Sequence, residues 1–136
     1  MYVLYEIIFN VYACYTKGLM KHPQEKIFVA HTKEIVDPGS LSFHFEQENK
    51  QIEGFLLKQN AEYRAYLNRC PHTGVKLNWN PDVFFDLNRE FIQCSMHGAL
   101  FQPLDGLCIH GPCVNQSLQA FNIVIESGQI YLLLPC

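Results

Sequence analysis

The sequence of 136 residues is poor in charge and has no long run of one sign. Charged residues make up 17% of it, the net charge is −3 at pH 7, and hydrophobic residues make up 49%. This balance excludes a disordered chain and supplies enough apolar material for one packed domain. Because no basic stretch is present, we expect neither nucleic acid nor an acidic membrane surface as a partner.

Long apolar runs are also lacking. The first fifteen residues are apolar but contain Glu6 and Asn10, and a spanning helix needs about 20 residues. They lack the basic start and the small-residue cleavage site of a secretory signal. We therefore expect a cytoplasmic protein without a membrane segment. We expect 1–19 to be an N-terminal extension, poorly ordered or packed on the domain, and 20–136 to be the compact domain.

Helical periodicity is scarce, since only a short piece after Pro81 would suit a helix. Period-2 alternation interrupted by turn residues is frequent and predicts an all-β fold. We expect an antiparallel β-sandwich or open barrel with one elaborated loop region at 70–113. The predicted strands are 27–31, 41–45, 55–57, 63–69, 90–94 and 99–102, followed by a hairpin over 120–134 with its turn at Ser127-Gly128.

The six cysteines and six histidines are unevenly placed, and two mixed pairs stand out. The first is Cys70-Pro71-His72 and the second is Cys94-Ser95-Met96-His97. Each follows a predicted strand, where a rigid sheet can fix the spacing of ligands carried on loops. Clustering of both residue types indicates a metal before it indicates disulfides. The spacing alone is only suggestive, since it would arise by chance in about one chain in a hundred.

Three kinds of site are compatible with these pairs. A [2Fe–2S] cluster needs four protein ligands, and in its Rieske variant two histidines replace two cysteines on one iron. Zinc also accepts two cysteines and two histidines, but most zinc fingers keep like ligands together. The third alternative is a pair of buried thiols with chance histidine neighbours.

The wider sequence around the pairs resembles the Rieske ferredoxin family. The matching segments are CPHTG at 70–74, CSMHG at 94–98 and GPC at 111–113, and the strand order agrees over 27–134. The resemblance implies a Rieske-type [2Fe–2S] cluster as cofactor, with a proline-containing loop at Gly111-Pro112 covering it. The implied ligands are Cys70 and Cys94 on one iron and His72 and His97 on the other.

The resemblance also implies a function. The chain is expected to be a soluble electron carrier without catalysis of its own, either a monomer or a weak oligomer. It would pass single electrons from a flavin-containing NAD(P)H reductase to a terminal oxygenase or reductase. The alternative is a small subunit or regulatory module of a larger reductase, similar to the small subunit of nitrite reductase.

The sequence departs from the compact members of the family between the two pairs. Twenty-one residues separate His72 from Cys94, and the excess lies in 78–90. The aromatic residues Trp79, Phe84 and Phe85 in this segment either anchor it on the core or form an exposed rim for a redox partner.

Other departures concern the reduction potential. High-potential family members carry an extra disulfide between the ligand loops, and Val75 and Met96 stand at those positions here. They also place Ser and Tyr hydroxyls near the cluster, where this chain has Ala99 and Phe101. Fewer hydrogen bonds to sulfur stabilise the reduced cluster less, so we expect a potential in the lower half of the range of about −150 to +300 mV.

Two further cysteines, Cys108 and Cys113, could ligate, pair or pack. Because four ligands are already assigned, a structural role beside the covering loop is favoured. A disulfide between them is conceivable in an oxidising compartment. His110 is the remaining histidine close in sequence to the ligand pairs.

Overall fold

The computed structural model describes residues 24–71 and 73–135. The predicted all-β fold is confirmed, whereas a helix after Pro81 is wrong, because turns and an isolated bridge between Phe85 and Ile92 occupy that stretch. The predicted extension over 1–19 lies outside the described residues and stays a prediction. The elements are β1 (Gln24–His31), a 3₁₀ helix (Thr32–Glu34), β2 (Gly39–Gln47), β3 (Lys50–Gln59), β4 (Glu62–Leu67), β5 (Ile92–Gln93), β6 (Leu100–Phe101), β7 (Cys108–His110), β8 (Ala120–Glu126) and β9 (Gln129–Pro135).

In the unit Lys33–Phe121, β2, β3 and β4 form an antiparallel meander, and two tight turns connect these strands. The turns at Glu48-Asn49 and Asn60-Ala61 each have two positive φ angles, which match the twist of a hairpin. The Asp37 carboxylate accepts the backbone N–H groups of Asn60 and Ala61 at 3.0 and 2.7 Å. The second turn was predicted from the sequence. The first carries no glycine signal and was missed.

The same unit contains a second, three-stranded sheet, in the order β5-β6-β7. Residues of all three strands lie in the same core cluster as the buried aromatic pair Phe55 and Phe84, whose rings stack with centroids 4.0 Å apart and planes 8° from parallel. These aromatic rings belong to one core cluster that also contains four buried cysteines. The cysteines of this cluster are Cys70, Cys94, Cys108 and Cys113.

The other unit comprises 24–32 and 122–135 among the described residues. Here β9 pairs with both β1 and β8 in antiparallel register. Ile130 and Leu132 are fully buried, as their alternation predicts. The Ser127-Gly128 turn has two positive φ angles, and the Gly128 carbonyl accepts the Thr32 N–H at 2.9 Å. The predicted C-terminal hairpin is confirmed.

Candidate metal centre

Two loops with the same backbone geometry carry the two predicted cysteines. In the first loop, the Cys70 N–H donates to the Val75 carbonyl, and the Gly74 N–H donates back to the Cys70 carbonyl, both at 2.7 Å. In the second loop the Cys94 N–H donates to the Ala99 carbonyl at 2.9 Å, and the Gly98 N–H donates to the Cys94 carbonyl at 2.8 Å. Each cysteine therefore lies at the base of a closed loop, held by bonds to residues four and five positions later.

The glycine four residues after each cysteine meets a conformational requirement. Gly74 has a φ of 76° and Gly98 a φ of 68°, in the left-handed region that other residues occupy only with strain. The shared pattern Cys-x-x-x-Gly is visible in the sequence as CPHTG and CSMHG. The equal spacing of the two glycines was overlooked, and it would have predicted that the loops match.

The two thiols lie close together in the protein interior. Cys70 and Cys94 are both fully buried. The pKa of Cys94 is raised, chiefly by burial. Backbone N–H groups of His97 and Met96, hydrogen-bonded to its sulfur, oppose the rise, and the neighbouring Cys70 sulfur adds to it. The site therefore penalises an uncompensated thiolate, and a bound metal removes that penalty because it deprotonates a coordinating thiol.

The histidine partners are placed differently from the thiols. His97 is exposed at the surface, three residues beyond the buried Cys94. His72 lies outside the described residues. Among 24–71 and 73–135, no group of three or more His, Cys, Asp or Glu side chains converges as a metal site. The structure thus brings the two predicted cysteines together. The predicted ligand role of the two histidines is not tested by it.

The chain that leaves the first loop is joined to the second loop. The Leu77 carbonyl accepts the Ser95 N–H at 2.7 Å, directly after Cys94. The Leu77 N–H in turn donates to the Asn68 side-chain carbonyl at 2.8 Å, just before Cys70. Through Leu77, these two bonds link the residues next to Cys70 with those next to Cys94, and they restrict the distance between the two cysteines.

A third segment, 108–113, packs against the second loop. Gly111 has a φ of 103°, and a Cβ placed on it would lie 2.9 Å from the Cα atom of Ala99 in the second loop. Burial first, and then the hydrogen-bonded Cys108 thiol, raise the pKa of Cys113 to about 12, with a smaller contribution from Cys70 in the first loop. The short strand β7 within this segment was not predicted. Its residues are few and follow no alternating pattern long enough to recognise.

The long segment 78–90 combines both roles considered for its aromatic residues. Phe84 is buried, Phe85 is half-buried, and Trp79 is 71% exposed. Polar bonds hold the segment on β2, since the Ser42 N–H donates to the Asp82 carboxylate at 2.7 Å. Phe84 therefore anchors the segment on the core, while Trp79 remains available at the surface.

The all-β fold and the two matched cysteine loops are the features of a protein that holds an iron–sulfur cluster, and comparison with known families agrees with this class. The family model of the Rieske [2Fe–2S] domain matches residues 25–126. The chain belongs to this family, and its cofactor is a Rieske-type [2Fe–2S] cluster. The residues present fit that cofactor, because two adjacent buried thiols, one of them accepting backbone N–H bonds, are the environment in which iron–sulfur clusters are held.

Individual relatives extend the comparison. Human apoptosis-inducing factor 3 is 34% identical over 77 residues, which is 57% of this chain and 12% of that protein. The ferredoxin of carbazole 1,9a-dioxygenase from Nocardioides aromaticivorans IC177 superposes with a TM-score of 0.60 at 21% identity, covering 82% of this chain and 98% of that one. A chain from the complex of oxygenase and ferredoxin of carbazole 1,9a-dioxygenase superposes with a TM-score of 0.60 at 16% identity. The match covers 79% of this chain and 91% of that one. The structural likenesses confirm the fold.

The described residues include no helix that is long and apolar enough to cross a membrane.

Proposed function

We propose that the chain is a one-electron carrier in which Cys70 and Cys94 bind one iron of the cluster, and His72 and His97 bind the other. The observation that carries this proposal is the pair of matched loops, which hold two buried thiols together and leave His97 exposed beside them. When bound, the cluster accepts and releases a single electron at a potential raised by its neutral imidazole ligands.

The residues of the chain perform three tasks in this proposal. The loop backbone fixes the ligands, so little reorganisation is needed when the electron arrives. The buried surroundings of Cys70 and Cys94 keep water from the sulfur side of the cluster. The exposed His97 gives a partner protein a short route to the metal, because docking there places the electron donor or acceptor against a ligand.

The proposed partners are a flavin-containing NAD(P)H reductase as donor and a terminal oxygenase as acceptor. Support comes from the like-folded ferredoxin that forms a complex with the oxygenase of carbazole 1,9a-dioxygenase. The Nocardioides ferredoxin, of which 98% is covered, is a like-folded protein described as a ferredoxin of a dioxygenase, and this supports the role of electron carrier. The alternative, a small subunit of a larger reductase, would require a stable complex with a large chain.

Two measurements on anaerobically purified protein test the proposal. Iron and sulfide analysis should give two of each per chain, and ENDOR spectra of the reduced protein should show coupling to nitrogen ligands. Voltammetry should then give a reversible one-electron wave in the lower half of the Rieske range, with no catalytic current under dioxygen. A colourless protein containing zinc would contradict the cluster assignment, and a potential in the upper half of the Rieske range would contradict the predicted low range.

A further inference from the structure

Cys108 and Cys113 form a buried thiol pair that the proposed ligand set does not use. Their Sγ atoms are 2.8 Å apart, which is about 0.8 Å longer than a disulfide bond. The Cys113 thiol donates to Cys108 Sγ, and the Cys108 thiol donates to the His110 carbonyl at 3.3 Å. A short movement of two side chains would therefore be enough to join the sulfurs.

The backbone keeps these two thiols opposed. The Cys108 N–H donates to the Gln116 carbonyl at 2.8 Å, and the Cys108 carbonyl accepts the Asn115 N–H at 3.2 Å. The Cys113 carbonyl accepts the Gln116 N–H at 2.8 Å. The chain thus turns back on itself between the two cysteines, and the turn is fixed before any bond forms between the sulfurs.

The pair lies close to the surface, although both sulfurs are buried. Cys108 is 1% exposed and Cys113 is fully buried. Their neighbours Ile109, His110 and Pro112 are exposed. Because residues on both sides of each cysteine reach the surface, local opening of this short segment would admit a small oxidant.

We propose that Cys108 and Cys113 are an oxidisable pair whose reversible disulfide holds the segment 108–113 against the second ligand loop. Local opening first exposes the pair to water, where a thiolate forms more readily than in the buried state. This thiolate attacks a low-molecular-weight disulfide, such as oxidised glutathione, and displaces one thiol from it. The second cysteine then attacks the mixed disulfide and displaces the other thiol. Two electrons and two protons leave the pair, and one molecule of disulfide becomes two molecules of thiol.

The position of the segment gives the disulfide its effect. Gly111 packs on Ala99 in the second ligand loop, and Cys113 belongs to the same buried core cluster as Cys70 and Cys94. Opening of 108–113 would therefore remove packing from the second ligand loop, and a cross-link between the ends of the segment would restrict that opening. This fastening effect depends on the proposed cluster site, whereas formation of the disulfide does not.

The first test maps the thiols of the full-length holoprotein. The protein is equilibrated anaerobically in glutathione buffers of increasing oxidised fraction, then acid-quenched, alkylated, digested and analysed by mass spectrometry. We expect a Cys108–Cys113 disulfide that titrates as a two-electron couple. Cys14→Ser is the matched control and should give the same titration, whereas Cys113→Ser should give no intramolecular bridge at Cys108.

The second test measures how fast the cluster is lost to an iron chelator, by bleaching of its visible absorption. The disulfide form should bleach several-fold more slowly than the dithiol form, and Cys14→Ser should show the same difference. Equal rates would overturn the fastening effect. Alkylation of both thiols at every glutathione ratio, in protein that retains its cluster, would overturn the disulfide and leave the proposed electron carrier intact. Both results come from the wild-type chain, so they do not depend on the folding of a variant.

Discussion

The Ser95 N–H donates to the Leu77 carbonyl at 2.7 Å, and this bond joins the loop of Cys94 to the chain that leaves the loop of Cys70. It places Cys94 at a fixed distance along the backbone from the chain that leaves the first loop. The protein fold therefore positions the two cysteines of the proposed site.

Replacing His97 with cysteine tests the assignment of the exposed ligand. A thiolate in place of a neutral imidazole makes the cluster more negative, so the reduction potential should fall toward the value of about −400 mV for all-cysteine ferredoxins, or the cluster should be lost. Voltammetry and iron analysis measure the two outcomes. His44→Cys is the matched control on an exposed histidine of β2. A potential unchanged by His97→Cys would show that this histidine is not a ligand.

Alanine at Gly111 should destabilise the fold more than alanine at Gly128. Both glycines have positive φ, which costs a residue with a side chain roughly 1–2 kcal/mol. A Cβ at Gly111 also meets the Ala99 backbone at 2.9 Å, whereas at Gly128 the nearest atom is 3.6 Å away. The clash should add about 1–3 kcal/mol and speed loss of the cluster. Thermal unfolding followed by circular dichroism compares the two variants, and equal losses would refute the close packing.

Truncation of Phe84 should release the segment 78–90 from the core. Phe84 stacks on Phe55 and is almost fully buried, so Phe84→Ala should cost about 3–5 kcal/mol of stability. Leu87 in the same segment is fully exposed, and Leu87→Ala should change stability by less than about 0.5 kcal/mol. Similar losses in the two variants, measured by thermal unfolding, would mean that Phe84 is not the anchor.

Tyr66 should make stability fall at alkaline pH. Burial raises the pKa of Tyr66 from 10.0 to about 12, and its hydroxyl donates to the Pro103 carbonyl at 2.7 Å. The unfolded chain loses this proton at lower pH than the folded chain. The contribution of Tyr66 to the free energy of unfolding is therefore complete below pH 10, and it declines from there toward pH 12 by about 1.4 kcal/mol per pH unit.

The variant Tyr66→Phe isolates that contribution. It should cost roughly 1 kcal/mol at neutral pH because the hydrogen bond to Pro103 is lost, and its stability should decline less steeply above pH 10. Denaturation measured at several pH values compares the slopes. Parallel curves for the variant and the wild-type chain would rule out Tyr66 as the titrating group.

The sequence predicted the cysteine pair because its signal is local and chemical. Two Cys–His pairs at strand ends are visible without any structure, and the structure places Cys70 next to Cys94. The hairpin over 120–134 was equally accessible, since its alternation is long and its turn contains glycine. These features depend on residue types at short spacing.

Other features depend on contacts that sequence spacing does not reveal. The turn at Glu48-Asn49 has positive φ without glycine, and the three residues of β7 owe their strand conformation to pairing with β6. The approach of Cys108 to Cys113 requires the chain to reverse its direction within six residues. Backbone hydrogen bonds from the two cysteines to Asn115 and Gln116 hold this reversal. Tertiary packing decides such positions, and propensity alone does not.

The exposed position of Trp79 makes it a built-in optical probe. It is the single tryptophan of the chain and is 71% exposed, on a segment that Phe84 ties to the core. Its emission in the native protein therefore comes from a solvated indole. A protein that binds over this segment would dehydrate the ring and shift its emission to shorter wavelength, so association could be followed by fluorescence without attaching a dye.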